Sequence, residues 1–295
     1  MNNLNGILLV IGAMAAFTLE DALIKHLSTW FSTGQILISV GIGAGSIFAA
    51  LALAMRQPLL SRQAWGQASL IRALSEAVAA TAFVTALTQV DISVVAAVFQ
   101  VTPLAITMGA ALVFGEQVGW RRWSAIGIGF AGVLLIIRPG LDGFEPGALW
   151  VLIAVAGVAV RDLSTRVISS DVSSLVVSFQ GFGAVVVAGA ALLWLEGDAL
   201  IRPEPAHYGL IAATLVFSVT GYYAIVQAMR VADASALQPF RYTRLVFSII
   251  VGMLVFGERP DALTLTGASL IIATGFYTFL RERHLLRQAR RAAAA

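Results

Sequence analysis

Ten stretches of this chain are almost free of charge, and most run about 18–24 residues, the length of helix that crosses the hydrocarbon core of a bilayer. They are Leu4–Leu27, Thr33–Ala54, Ala68–Leu87, Ile92–Phe114, Trp123–Ile137, Ala148–Ile168, Val172–Leu195, Tyr208–Met229, Ala234–Phe256 and Leu263–Leu280. The fifth is short, and neighbouring residues are expected to lengthen it. Charged residues make up 12% of the sequence and hydrophobic residues 59%, whereas a soluble domain carries roughly 25% charge. The chain therefore reads as an all-α, polytopic membrane protein. The start, MNNLNGILLV, has no basic n-region and is expected to be a retained first helix. The connections are short, and the longer ones hold breakers: RQPLLSRQAWG, RPGLDGFEPG and EGDALIRPEPAH.

Basic residues give the orientation. With the N-terminus in the cytoplasm, the inner loops and tail hold Arg56, Arg62, Arg72, Arg121, Arg122, Arg166, Arg230, Arg281, Arg283, Arg287, Arg290 and Arg291. The outer ends hold only Lys25, Arg138, Arg202 and Arg259. Twelve against four predicts both termini inside the cytoplasmic membrane. The net charge of +3 is thus a topology signal, not a nucleic-acid footprint. The expected partners are the lipid bilayer and a small-molecule substrate. Without cysteine, thiol chemistry and Cys-based metal sites are excluded. No cofactor or metal is expected.

The chain also repeats itself. ALTQVDIS at 86–93 and LVFGE at 112–116 return as AMRVADAS at 228–235 and LVFGE at 254–258, a shift of 142 residues without a gap. At an offset of 141, Asp21 and Lys25 of the first span meet Asp162 and Arg166 of the sixth. Each half, 1–145 and 146–295, has five spans. Five is odd, so the second copy enters the membrane inverted, an arrangement suited to alternating access about a midplane site.

Two five-helix halves, each ending its fourth helix in (L/V)-(L/V)-F-G-E before a Gly-rich fifth helix, resemble the drug/metabolite transporter superfamily, and within it the EamA-type ten-helix exporters. The resemblance covers nearly the whole chain, through loose motifs that mark fold rather than substrate. It implies a secondary transporter that exports small metabolites. The compact, loop-poor layout is further similar to an aromatic amino-acid exporter of the YddG type.

Ionisable residues within a bilayer are costly and imply function or pairing. Asp21 and Lys25 are spaced i,i+4, as are Asp162 and Arg166, so each can form an ion pair on its own helix. With Glu20, these form a candidate gate, or else they bind helices together. Arg72 and Glu76 share the same spacing, with Glu76 a turn deeper and a candidate proton carrier or amine ligand. Arg241 and Arg244 lie 7 and 10 residues into the ninth span, with no acid beside them in that helix. Arg forks a carboxylate through two parallel hydrogen bonds, so Arg244, and less so Arg241, is a candidate carboxylate site. The alternative is a pair with Glu20, Asp21 or Glu76 of another helix.

Pro103 and Pro239 each fall in the fourth helix of their half and predict kinks. They do not align at the 142 offset, which predicts kinks at different depths. Gln100, one turn before Pro103, and Tyr242 are polar candidates for a cavity wall, and Phe83 and Phe99 lie deep enough to line it. Gln180, Gln227, Tyr222 and Tyr223 need partners between helices. Gly41-x-x-x-Gly45 marks a close helix contact. GIGFAG at 127–132 fits G-x-G-x-x-G but lies inside a membrane span with no preceding strand, so it is not a dinucleotide fingerprint. Trp30, Trp65, Trp120, Trp123 and Trp194 sit near span ends, as an interfacial belt requires.

The expected function is export of small metabolites, foremost neutral or aromatic amino acids, through a central cavity. Organic cations and nucleotide-sugar or phosphate-type substrates are the alternatives, and a channel is the more remote one. An intramembrane enzyme lacks its motifs: there is no H-E-x-x-H and no GxGD-like aspartate pair. There is no ATP-binding loop either.

Overall fold

In a computed structural model, residues 3–141, 143–169, 171–231 and 237–292 are described, and all their regular structure is helical. The order is α1 (Asn3–Leu27), α2 (Thr33–Ala54), α3 (Gln67–Gln89), α4 (Ile92–Phe99), α5 (Thr102–Phe114) and α6 (Trp120–Ile137). The second half continues with α7 (Ala148–Thr165), α8 (Ser174–Glu196), α9 (Pro205–Val231), a 3-10 turn (Gln238–Tyr242), α10 (Thr243–Val255) and α11 (Ala262–Ala292). Nine segments of the described residues are long and apolar enough to cross a membrane, counting α4 with α5 as Ile92–Phe114. The 3-10 turn and α10 form the visible part of the ninth expected span, and Asp233 and Ser235 of the repeat lie outside the described residues. The fifth span begins at Trp120, lengthened as expected.

The two halves interlock rather than sit side by side. The main neighbours are α1 with α9, α3 with α7, α2 with α8, and α6 with α11. Under the repeat, α1–α9 and α3–α7 are one contact seen twice. The pairs α2–α8 and α6–α11 each join a helix to its own counterpart, so the inverted two-fold axis runs between them. Small residues let these pairs close: Gly34 packs on the backbone of Gly189, and Gly132 on that of Gly267. Gly41 lies against Phe182 and Val186 of α8, so the small-residue pair in α2 is a helix contact. The tryptophans expected at span ends are exposed, from Trp30 at 40% to Trp194 at 82%.

The LVFGE sequence has a local meaning. Gly115 and Gly257 both have φ of 67°, a left-handed conformation in which a Cβ is strained. Each helix therefore stops there, and the next amide folds back onto a carbonyl of the last turn, Glu116 N to Ala110 O and Glu258 N to Gly252 O. The motif is a helix stop that throws a glutamate sideways.

The fourth and ninth segments are both interrupted. Helix resumes at Thr102 and at Thr243, equivalent positions to within one residue of the 142 shift. The expectation that the kinks differ in depth is therefore corrected. Pro103 lies in the first turn of the resuming α5, while Pro239 opens the 3-10 turn before α10. Proline is tolerated at the start of a helix, where its missing N–H has no partner to lose, so two unaligned prolines serve the same break.

Candidate functional site

The two breaks meet. The Gln100 side-chain amide donates to the Arg241 carbonyl at 3.4 Å, which joins the interruption of one half to that of the other. Non-helical backbone at membrane depth is tolerated where it is buried in protein or lines a cavity. The Arg241 side chain is exposed and has no hydrogen-bond or ion-pair partner among the described residues, although α1, α10 and α11 all pack on the 3-10 turn that carries it. That combination describes a side chain lining a recess. Tyr242 turns the other way and lays its hydroxyl against Gly275 of α11, where no larger residue fits.

The charges do not pair as their spacing suggests. Asp21 does not bind Lys25: its carboxylate takes a hydrogen bond from Arg244 at 2.7 Å. Asp162 does not bind Arg166 but pairs with the adjacent Arg161 at 2.8 Å. The physical reason is burial. Asp21 has 6% of its side chain exposed, and a carboxylate so enclosed requires a charged, hydrogen-bonded partner in direct contact. Arg244 reaches it across the helix interface, one of the alternatives open from sequence, and is further enclosed by the rings of Phe17, Phe83 and Phe99, each 5.5–5.6 Å from the guanidinium carbon. Phe83 and Phe99 meet edge to face at 4.9 Å. These two rings thus wall in an arginine that already has its anion.

Glu76 is likewise engaged. Arg161 contacts one carboxylate oxygen at 3.1 Å, and Arg72 lies 3.7 Å from the other. Arg72 also donates to Thr165 Oγ1 and the Val177 carbonyl. Glu20, which lies next to the paired Asp21, has no ion-pair partner among the described residues. The Ser218 hydroxyl of α9 lies beside it, and the Arg244 guanidinium acts on it without direct contact.

The end of the bundle holding the C-terminus of α1 is sealed. The Glu258 carboxylate accepts the amides of Ile92 at 2.7 Å and Ser93 at 3.1 Å, together with the Ser93 hydroxyl at 2.7 Å. It therefore caps α4 of the other half. Lys25 sits 3.4 Å from Glu258 and donates to the Val90 carbonyl. The repeat equivalent of Lys25–Glu258 is Arg166–Glu116, at 3.0 Å. The first pair is 18% and 3% exposed and the second 50% and 49%, so the two ends of the bundle differ at symmetry-related positions. Nothing in the spacing of Lys25 pointed to Glu258. The shared offset of both motifs was the one available signal.

At the same end Arg138 bridges to Asp261, the N-cap of α11, whose carboxylate also accepts the Thr264 amide at 2.9 Å. These hydrogen bonds hold the Asp261 carboxyl down at about 2. Among the described residues no cluster of His, Cys, Asp and Glu is suited to a metal ion.

Comparison with known proteins also finds two halves. The model of the EamA-like transporter family matches residues 4–138 and again 145–280. The chain belongs to the EamA-like transporter family. It is accordingly an integral membrane protein. Among its relatives is an S-adenosylmethionine uptake transporter of Rickettsia conorii, 26% identical over 61% of this chain and 60% of the relative. A riboflavin transporter of Vibrio cholerae is 29% identical over 91% of each chain, and the pseudopaline exporter CntI of Pseudomonas aeruginosa is 24% identical over 91% and 93%. The chain spans about 60% of the length of the Rickettsia relatives. A solved crystal structure, 18% identical and covering 95% of this chain and 98% of its own, has the same fold with a TM-score of 0.59. The narrower likeness to YddG-type aromatic amino-acid exporters finds no support in these relatives.

Proposed function

We propose that this protein is a secondary transporter that carries small zwitterionic organic solutes, aromatic amino acids among them, by alternating access through the recess at the two helix breaks. The observation that carries this reading is the unequal burial of the symmetry-related pairs Lys25–Glu258 and Arg166–Glu116. Inverted halves sealed at one end and loosened at the other describe one of two mirror-related states. The excess of basic residues at the loosened end makes that end cytoplasmic, so the state described here faces inward.

Within the recess, Arg241 is the group available to a carboxylate, and Gln100 fixes the backbone that carries it. The earlier candidate, Arg244, is neutralised by Asp21. It serves instead to hold α1 against α10 behind the wall formed by Phe83 and Phe99. The names of the relatives, which include S-adenosylmethionine uptake, riboflavin transport and pseudopaline export, support transport of organic metabolites and leave both directions open.

The test is flux in proteoliposomes loaded with labelled tryptophan, leucine, S-adenosylmethionine or riboflavin, with and without a pH gradient. Saturable flux of at least one zwitterion, lost in Arg241→Gln, is expected. Non-saturable flux of every solute points to a channel, and flux of riboflavin alone removes the carboxylate role of Arg241.

A further inference from the structure

The helix pairs α3–α7 and α9–α1 are the same contact in the two halves, and their residues correspond closely. Ala79 packs on Gly157 where α3 crosses α7, and Gly221 packs on the Phe17 ring where α9 crosses α1. The shift of 142 takes Ala79 to Gly221, and the shift of 141 takes Ala16, beside Phe17, to Gly157. On the same two shifts Glu76 becomes Ser218, and Glu20 becomes Arg161.

In the first crossing an acid from α3 meets a guanidinium from α7, Glu76 with Arg161 at 3.1 Å. In the second crossing the acid has moved to α1 as Glu20, and the position facing it holds only a serine. The first crossing thus neutralises its acid across the helix interface, and the second leaves its acid facing a hydroxyl. Asp21, the neighbour of Glu20, has a cation of its own, Arg244 at 2.7 Å. Glu20 and Asp21 therefore have one guanidinium between them, Arg244, whose direct contact goes to Asp21, and Glu20 is left beside the Ser218 hydroxyl; an intramembrane acid short of a cation calls for one.

We propose that Glu20, with Ser218, forms the receptor for a cationic group of the transported solute, an organic ammonium or sulfonium. The bound cation does for Glu20 what the Arg161 guanidinium does for Glu76. Phe17 lies beside this position on the same helix, and an aromatic face favours an organic cation over a hydrated metal ion. The inference rests on the proposed transport function for its meaning, but not for its test, which reads binding rather than flux.

Equilibrium dialysis of the purified full-length protein against labelled methylammonium, phenethylamine and tryptamine provides that test, with neutral 2-phenylethanol as the uncharged comparison. At least one amine is expected to bind saturably. Glu20→Gln weakens that binding by about tenfold or more, the loss of a charge-assisted contact. It leaves 2-phenylethanol unchanged. Glu20→Asp restores part of the affinity, and Asp261→Asn at the sealed end has no effect. Binding of an amine that survives Glu20→Gln, or that is lost equally in Glu20→Asp, overturns the proposal, as does the absence of saturable binding of all three amines. Amine binding lost in Glu20→Gln without any measurable flux in liposomes counts against transport alone. Flux that continues without an amine site counts against this inference alone.

Discussion

Glu258 accepts the Ser93 hydroxyl at 2.7 Å across 165 residues of chain, and in doing so holds the segment that follows α10 in one half on the first turn of α4 in the other. A buried carboxylate with three donors and a lysine beside it is a strong latch, because each charge-assisted bond contributes about 1.5–3 kcal/mol net. Glu258→Ala is expected to lower the thermal midpoint in detergent and to speed deuterium exchange at the Ile92 and Ser93 amides. The equivalent change, Glu116→Ala, alters stability much less, since its pair is half-exposed and such pairs contribute about 0–1 kcal/mol. Equal losses in the two variants would remove the asymmetry on which the inward-facing assignment rests.

Arg244 and Arg241 are three residues apart and are expected to behave differently. Arg244→Gln leaves Asp21 buried and unpaired, a loss of about 3–5 kcal/mol, and Asp21→Asn in the same chain recovers much of it. Arg241→Gln breaks no contact, so its stability stays within about 0.5 kcal/mol of the native protein while carboxylate-dependent flux is lost. Thermal unfolding and flux of the three variants, measured side by side with the native protein, check this. A destabilised Arg241→Gln would show that its guanidinium has a structural partner.

Gly275 faces the Tyr242 hydroxyl with no room for a methyl group. Gly275→Ala is expected to cost about 1–3 kcal/mol, as overpacked sites do, and to displace the 3-10 turn that carries Arg241. Pairing it with Tyr242→Ala relieves the overlap, so a thermal-shift double-mutant cycle should show strong coupling between the two positions. Additive losses would mean that the ring does not rest there.

Asp261 gives the one pH-dependent expectation. Its carboxyl is held at about 2, below the ordinary 3.8, by Arg138 and the Thr264 amide. A depressed value stabilises the fold wherever the carboxylate would be ionised when unfolded, so the contribution is complete above about pH 5. It is lost as the pH falls through the interval down to 2. The difference in thermal midpoint between native protein and Asp261→Asn is therefore expected to be constant near neutrality and to vanish in strong acid. With its side chain 49% exposed, the effect is small, and a difference that grows on acidification would contradict the assigned pairing.

Much of this architecture was legible in the sequence because its signals are long. Apolar runs report spans, and a gap-free shift of 142 residues reports the repeat. The ionic contacts were not legible, and the reason is specific. Spacing of i,i+4 places Asp21 near Lys25, but it cannot weigh that neighbour against Arg244, 223 residues away, which satisfies a buried carboxylate better. The FGE motif was visible as a mark of the family, whereas its work as a helix stop that delivers a cap to the other half depends on tertiary contact. The proline kinks were misread in depth because a proline in the first turn of a resuming helix and one in the preceding 3-10 turn produce the same break from different positions.

Gly132 rests on Ile271, and Gly129 on Thr274. Under the 142 shift these are a single contact, because Gly129 maps to Ile271 and Gly132 to Thr274. When two copies trade places about an axis, whatever sits on that axis keeps its neighbours through the exchange. The seam between α6 and α11 is thus a pivot rather than a bearing surface, and a crosslink across it should be tolerated where one across the Lys25 end would arrest the cycle.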